Sequence, residues 1–106
     1  MEKVFNLEKF QEQVIDYIVS TTDLNREEDE FYVDVTQIID YTLIEVSINN
    51  SYFFDFYSDA DPNVECRGEY SLQTINVISE IIKSDYEIWM MFNNCFEEVN
   101  ECTINR

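Results

Sequence analysis

Oxygen-bearing side chains recur at alternate positions in Asp59-Ala60-Asp61-Pro62-Asn63-Val64-Glu65, the pattern that opens an EF-hand calcium loop. The match then stops. Val64 stands where such a loop turns on a glycine, Tyr70 where it supplies a bidentate glutamate, and Pro62 falls between ligands. An acidic turn accounts for the same residues without a metal, so a calcium-binding domain is the weaker alternative. Cys95 and Cys102 are seven residues apart, on one face of a helix, and Cys66 is the third thiol of a chain without histidine. Three thiols and no imidazole fall short of a structural zinc site, and the cysteines read as reduced, structural residues. No cofactor or metal is therefore expected.

The lack of histidine also removes the side chain best suited to proton transfer near neutral pH, and with it any Ser-His or Cys-His nucleophile pair. A single glycine excludes a phosphate-cradling loop or a dinucleotide turn. Paired carboxylates can still hydrolyse a glycoside or hold Mg²⁺, but 106 residues leave little room for a deep, desolvated cleft. An enzyme is not expected.

What remains is charge. Twenty-three Asp and Glu face six Lys and Arg, for a formal charge of −17. That excess opposes a compact state and favours association with something strongly basic. Between Glu27 and Cys66 eleven acids occur and no basic residue. Carboxylates at i, i+2 on a strand repeat every ~6.6 Å, and at i, i+4 on a helix every ~6 Å, against one phosphate per ~3.4 Å of axis on each DNA strand. Either spacing offers a basic nucleic-acid groove a partial imitation of its normal ligand. Direct binding of nucleic acid, or of an anionic membrane, is disfavoured by the same charge. Yet 45% of residues are hydrophobic and 15% aromatic, which an acidic disordered tail would not be. The chain reads as one folded domain, residues 1–106, with an acidic surface.

The elements that must position these acids follow from periodicity. Asn6 is an N-cap, followed by Leu7, Phe10, Val14, Tyr17 and Ile18 at helical spacing, which predicts a helix over 7–20 with Phe5 stapled back onto its first turn. Glu8, Glu12 and Asp16 form a ridge of like charge on its other side. From Phe31 the period becomes two. Phe31, Val33 and Val35, then Thr42, Ile44, Val46 and Ile48, then Tyr52, Phe54 and Phe56 mark the inner face of three strands. Asn49-Asn50-Ser51 is a hairpin turn; residues 37–41, without Gly or Pro, leave the first turn open to a bend, a bulge or a longer strand. Residues 58–70 read as a loop. Ser71 caps a helix with Leu72, Ile75, Ile78 and Ile82 on its apolar face, and Ser84-Asp85-Tyr86-Glu87 reads as a capping box starting another, with Trp89, Phe92, Phe96 and Val99 as its stripe. The fold class is α+β: a three-stranded antiparallel β-meander packed with an N-terminal helix and two C-terminal helices, in the order α-β-β-β-α-α.

In size, charge and element order over the whole chain, this pattern resembles small acidic phage-encoded DNA-mimic inhibitors of host defence, the anti-CRISPR and anti-restriction proteins. The element order is similar to that of an inhibitor that occupies the site where a CRISPR effector reads the short motif flanking its target. No motif carries over residue by residue. Acidic immunity proteins and antitoxins that plug basic nuclease toxins are similar in the same respects. The resemblance implies a non-catalytic inhibitor that binds the basic nucleic-acid groove of a larger nuclease in the cytoplasm; an immunity protein or antitoxin against a basic toxin is the alternative. The N-terminus shows no signal-peptide pattern and no stretch is long enough to span a bilayer, which also points to the cytoplasm. The expected partner-binding residues are Glu27, Glu28, Asp29 and Glu30 on the connection, Asp34, Glu45 and Asp55 on the outer strand face, Asp59 and Asp61 in the loop, and Tyr32 and Tyr57 as aromatic anchors. Reversing the charge of Glu28, Asp29 and Glu30 together is expected to damage binding without unfolding the domain. Apolar positions on the outer strand face leave room for a homodimer.

Overall fold

A computed structural model describes residues 2–98. The fold is α+β, with three helices and a four-stranded antiparallel sheet. Helix α1 (Leu7–Thr21) begins as its sequence dictates: Asn6 Oδ1 accepts the Lys9 N–H at 3.0 Å, and the Phe5 ring meets Phe10 at 5.6 Å to complete the staple. Phe10, Val14 and Ile18, four residues apart, are its buried stripe.

Strands β2 (Phe31–Ile38), β3 (Tyr41–Ile48) and β4 (Tyr52–Tyr57) form the expected meander, and β1 (Lys3–Phe5) precedes α1. The first hairpin closes on two residues, Ile39 and Asp40, and the strands run to Ile38 and Tyr41 without a bulge. The second turns on Asn49 and Asn50, both left-handed (φ 55° and 51°), a conformation Asn tolerates better than most residues; Ser51 N–H closes it on the Ile48 carbonyl at 3.0 Å. Val33, Ile44, Val46, Ile48, Phe54 and Phe56 face inward and are buried against Phe10, Val14 and Ile18.

The three-stranded expectation is short by one strand. Residues 63–66, read as loop, form β5 (Asn63–Cys66) and pair with β4, so the order is β2-β3-β4-β5. Val64 turns inward while Asn63 and Glu65 turn outward. A second, two-stranded sheet joins β1 to β6 (Phe96–Glu98), with Phe5 opposite Phe96. Phe96 is therefore not part of the last helix. Helix α3 (Asp85–Asn93) stops at two consecutive asparagines, poor helix formers, and Asn6 N–H bonds the Cys95 carbonyl at 2.7 Å as the chain returns along β1. Phe96 still meets Phe92 (5.2 Å) and Phe5 (5.1 Å), so the aromatic cluster forms by a turn rather than by helical spacing. Val99 and Cys102 lie outside the described residues.

Helix α2 (Leu72–Lys83) is capped by Ser71, which accepts the Thr74 N–H at 3.1 Å, but it buries a different face from the one its leucine and isoleucines suggest. Thr74, Val77 and Ile81 are buried; Leu72, Ile75 and Ile82 are exposed and Ile78 is half-buried. Apolar residues cover more than half of this helix's circumference, so periodicity alone does not choose. The choice is made by Thr74, whose hydroxyl meets Tyr52 Oη at 3.1 Å and Ser71 Oγ at 3.0 Å, and by the stripe Ile81, Ser84, Ile88, Phe92 that continues the same buried phase through α3. Ser84 stands between the two helices but no capping box forms: its hydroxyl donates to the Glu80 carbonyl (2.8 Å) and its oxygen meets the Tyr17 hydroxyl at 3.3 Å instead. The helices cover the inner face of the sheet, and the 20 Å short dimension is that of one sheet and one helix layer.

Candidate functional site

Among the described residues no helix covers the outer face of the four-stranded sheet, and register decides what it displays. The two-residue turn at Ile39-Asp40 sets Asp34 opposite Glu45, and the Asn49–Ser51 turn sets Glu45 opposite Asp55. Three carboxylates thus stand in one row across β2, β3 and β4, closed on β5 by Asn63. The expected i, i+2 run along a strand does not occur here; the acids line up across the strands, at the ~4.8 Å interstrand spacing.

Like charges directly opposite each other on a sheet are destabilising. Among the described residues, none of the three has a cationic partner. Burial, and then the charge of Glu65, push the Asp55 carboxyl above its ordinary range. The helix α1 ridge is treated differently. Arg26 folds back from the connection to bond Glu12 Oε2 and Asp16 Oδ1, each at 2.7 Å. The ridge is thereby partly neutralised, which removes it from the bare acidic surface; the sequence spacing of Arg26, ten and fourteen residues downstream, carries no helical signal for this contact.

Aromatic side chains border the row on both sides. Tyr32 is exposed, and its hydroxyl donates to Asp34 Oδ2 at 3.1 Å; that bond, with the Asp34 charge, raises its pKa. Toward the other hairpin, Tyr57 packs edge-on against Tyr41 at 5.8 Å, and burial, then Asp55, Tyr41, Glu45 and Asp59, raise its pKa. Phe53 sits opposite both Ser47 and Glu65, with the Arg67 guanidinium 4.5 Å above its ring and bonded to Glu65 at 2.7 Å. Leu43 joins this face as its alternation with Glu45 and Ser47 predicts, and Tyr41 and Arg67 join it through Tyr57 and Phe53.

The acidic connection divides into two kinds of residue. Glu27, Glu28 and Glu30 are exposed. Asp29 instead accepts the Asn25 N–H at Oδ2 (2.8 Å) and the Asn49 side-chain N–H at Oδ1 (2.9 Å), while Asn49 Oδ1 accepts the Glu30 N–H at 2.8 Å. Asp29 therefore ties the connection to the second hairpin and is a structural residue. The three-residue charge reversal would break this tie, so the clean variant reverses Glu27, Glu28 and Glu30. Asp29→Ala should cost about 1–2 kcal/mol for two hydrogen bonds, measured by urea unfolding, whereas the three-Glu reversal should leave the unfolding midpoint within about 0.5 kcal/mol of the native chain. A shallow hollow of about 380 Å³, lined by Glu30, Phe31, Tyr32, Ser47 and Asn50, joins this connection to the outer sheet face.

The remaining two residues are placed apart. Asp59 and Asp61 are exposed in the β4–β5 loop, and Asp61 lies close enough to Asp85 to add to the upward push that burial gives the Asp85 carboxyl, against a weaker opposing pull from Trp89. Asn63 and Glu65 belong to β5, where alternate side chains project in line rather than around an ion, so 59–65 is not a closed calcium loop. Among the described residues no three His, Cys, Asp or Glu side chains are grouped to hold a metal ion. Cys95 is buried, which raises its thiol pKa, and Cys66 is half-buried on β5.

Among the described residues, the arrangement is a sheet face with no helix over it and a carboxylate row free of salt bridges, bordered by tyrosines and flanked by three exposed glutamates. No protein-family model matches the chain, and no curated protein or solved structure matches it either.

Proposed function

We propose that this chain is a non-catalytic inhibitor that lays its acidic outer sheet face into the basic nucleic-acid groove of a larger nuclease, as an anti-CRISPR-like DNA mimic acting in the cytoplasm. One contrast carries the reading. The chain spends Arg26 on neutralising Glu12 and Asp16, yet leaves Asp34, Glu45 and Asp55 side by side without a salt bridge among the described residues, the one cation on that face, Arg67, being paired with Glu65. A row that costs the fold stability is better accounted for by a partner that supplies the missing positive charge. Tyr32 and Tyr57 provide the aromatic contacts in which interface energy concentrates. Among the described residues no helix is long and apolar enough to cross a membrane, consistent with a partner met in the aqueous phase.

The test uses the protein as bait in a host lysate at low and high salt. The expected result is capture of a nucleic-acid-processing protein at low salt and its release as salt rises, because the attraction is screened. A captured toxin nuclease would place the chain with immunity proteins instead, and a salt-insensitive partner would contradict the electrostatic basis of the proposal.

A further inference from the structure

The exposed side of α2 and α3 carries a second pattern that the acidic face does not explain. Leu72, Ile75, Ser79, Ile82, Tyr86 and Met90 follow one another at intervals of three, four, three, four and four residues. This is the spacing with which one helix offers knobs to another. Leu72 is 75% exposed, Ile75 52%, Ile82 40%, Tyr86 69% and Met90 45%, while the opposite stripe of the same helices is already buried in the core. Leucine and isoleucine side chains rarely stand in such a row on a free surface without a contact to make.

The electrostatics narrow the occupant. In a chain of charge −17, none of these six positions is charged, and the two ionised residues of α2, Glu80 and Lys83, pair with each other at 3.6 Å. A basic partner would find no carboxylate within the row itself. A second copy of this chain would find an uncharged row there, flanked on α3 by Asp85 and Glu87, whose repulsion salt screens. We infer that the α2–α3 seam is a homodimer interface, in which the seam of one copy packs against the seam of another about a two-fold axis.

The dimensions suit this. Followed along the two helix axes, the seam covers about 27 Å from Leu72 to Met90. Its exposed aliphatic and aromatic groups present roughly 230–430 Å² of apolar surface, taking about 60–120 Å² for a whole aliphatic side chain and 150–250 Å² for an aromatic one. With the roughly 60% apolar share of an ordinary interface, that corresponds to about 400–700 Å² per copy, whose upper part falls within the range of specific interfaces. Because the seam lies on the helix layer, the outer sheet faces of both copies stay free, and one particle carries two acidic faces. The inference goes beyond the inhibitor reading and does not rest on it.

Sedimentation of the purified full chain, without any partner, tests it across about 1 µM to about 1 mM. The expected result is a rise in mass toward twice the chain mass of 12.7 kDa, with the transition moving to lower concentration as salt screens the repulsion between two acidic chains. Ile75→Glu with Ile82→Glu should shift the transition upward at least tenfold in concentration with an unchanged circular dichroism spectrum. If that pair disturbs the fold, Tyr86→Glu with Met90→Glu serves the same purpose on α3. A native chain that stays monomeric at about 1 mM in high salt overturns the inference, as does a dimer that neither pair affects. A monomer whose seam variants lose capture of a lysate partner overturns it too, by assigning the seam to that partner.

Discussion

Replacing Asp34, Glu45 and Asp55 by Asn, Gln and Asn should weaken binding to the basic partner about 100-fold while making the isolated domain more stable. The loss follows from three charge-assisted contacts at about 1 kcal/mol each, a cautious value for groups that keep some solvent. The gain follows from register: Asp34 faces Glu45, and Glu45 faces Asp55. Relieving two like-charge pairs should return about 1 kcal/mol after solvent screening, or about 4–8 °C in Tm for a domain of this size. Opposite signs in the two assays are diagnostic, because a substitution that damages the fold lowers both.

The same substitution should alter the pH response. Burial and Glu65 raise the Asp55 carboxyl pKa, so the folded state holds that proton more tightly than the unfolded chain does. A carboxyl raised on folding lowers stability as pH climbs from the ordinary Asp value, 3.8, through the raised value. Acidifying from neutral pH should therefore stabilise the native chain, and the neutralised variant should gain less. Asp85, raised mainly by burial, contributes with the same sign and remains in the variant. Thermal unfolding between pH 4 and pH 7 measures both effects; a variant with the native pH profile would show that folding does not raise the Asp55 carboxyl.

Phe54→Ala should cost about 3–5 kcal/mol, a large part of the roughly 5–15 kcal/mol that holds a domain together. Phe54 is fully buried, pairs with Val46 on β3 and Val64 on β5, and stacks along β4 on Phe56 at 6.5 Å. Its removal leaves a cavity beneath the strands that carry Glu45 and Asp55. One residue earlier, Phe53 lies on the outer face under Arg67. Phe53→Ala should cost only about 1 kcal/mol. Urea unfolding of the two variants measures the alternation directly: equal costs would mean that β4 does not present Phe54 inward and Phe53 outward.

Much of this architecture is legible from local rules. Asn6 and Phe5 announce the start of α1 because cap and staple are contacts within one turn. Alternation in β2, β3 and β4 places Asp34, Glu45 and Asp55 on one face because the pleat has a period of two. What local rules do not reach is set at a distance. Residues 63–66 form β5 only because β4 is there to pair with, and its four residues carry too short an alternation to stand alone. The β1–β6 pairing joins opposite ends of the described chain through three residues on each side. The face α2 buries depends on Thr74 meeting Tyr52, and the structural part played by Asp29 depends on Asn49, twenty residues away. The acids of the site were therefore visible as a set, but their division into structural and free members was not.

The central claim is that the outer sheet face takes the place of nucleic acid in a basic groove. It is tested most directly by mutually exclusive binding. The purified partner captured from lysate is titrated with this protein at increasing concentrations of the duplex DNA or RNA the partner normally holds. The account predicts that the apparent Kd for this protein rises in proportion to the nucleic acid added, with no species containing all three. A ternary complex, or an apparent Kd indifferent to nucleic acid, would contradict it.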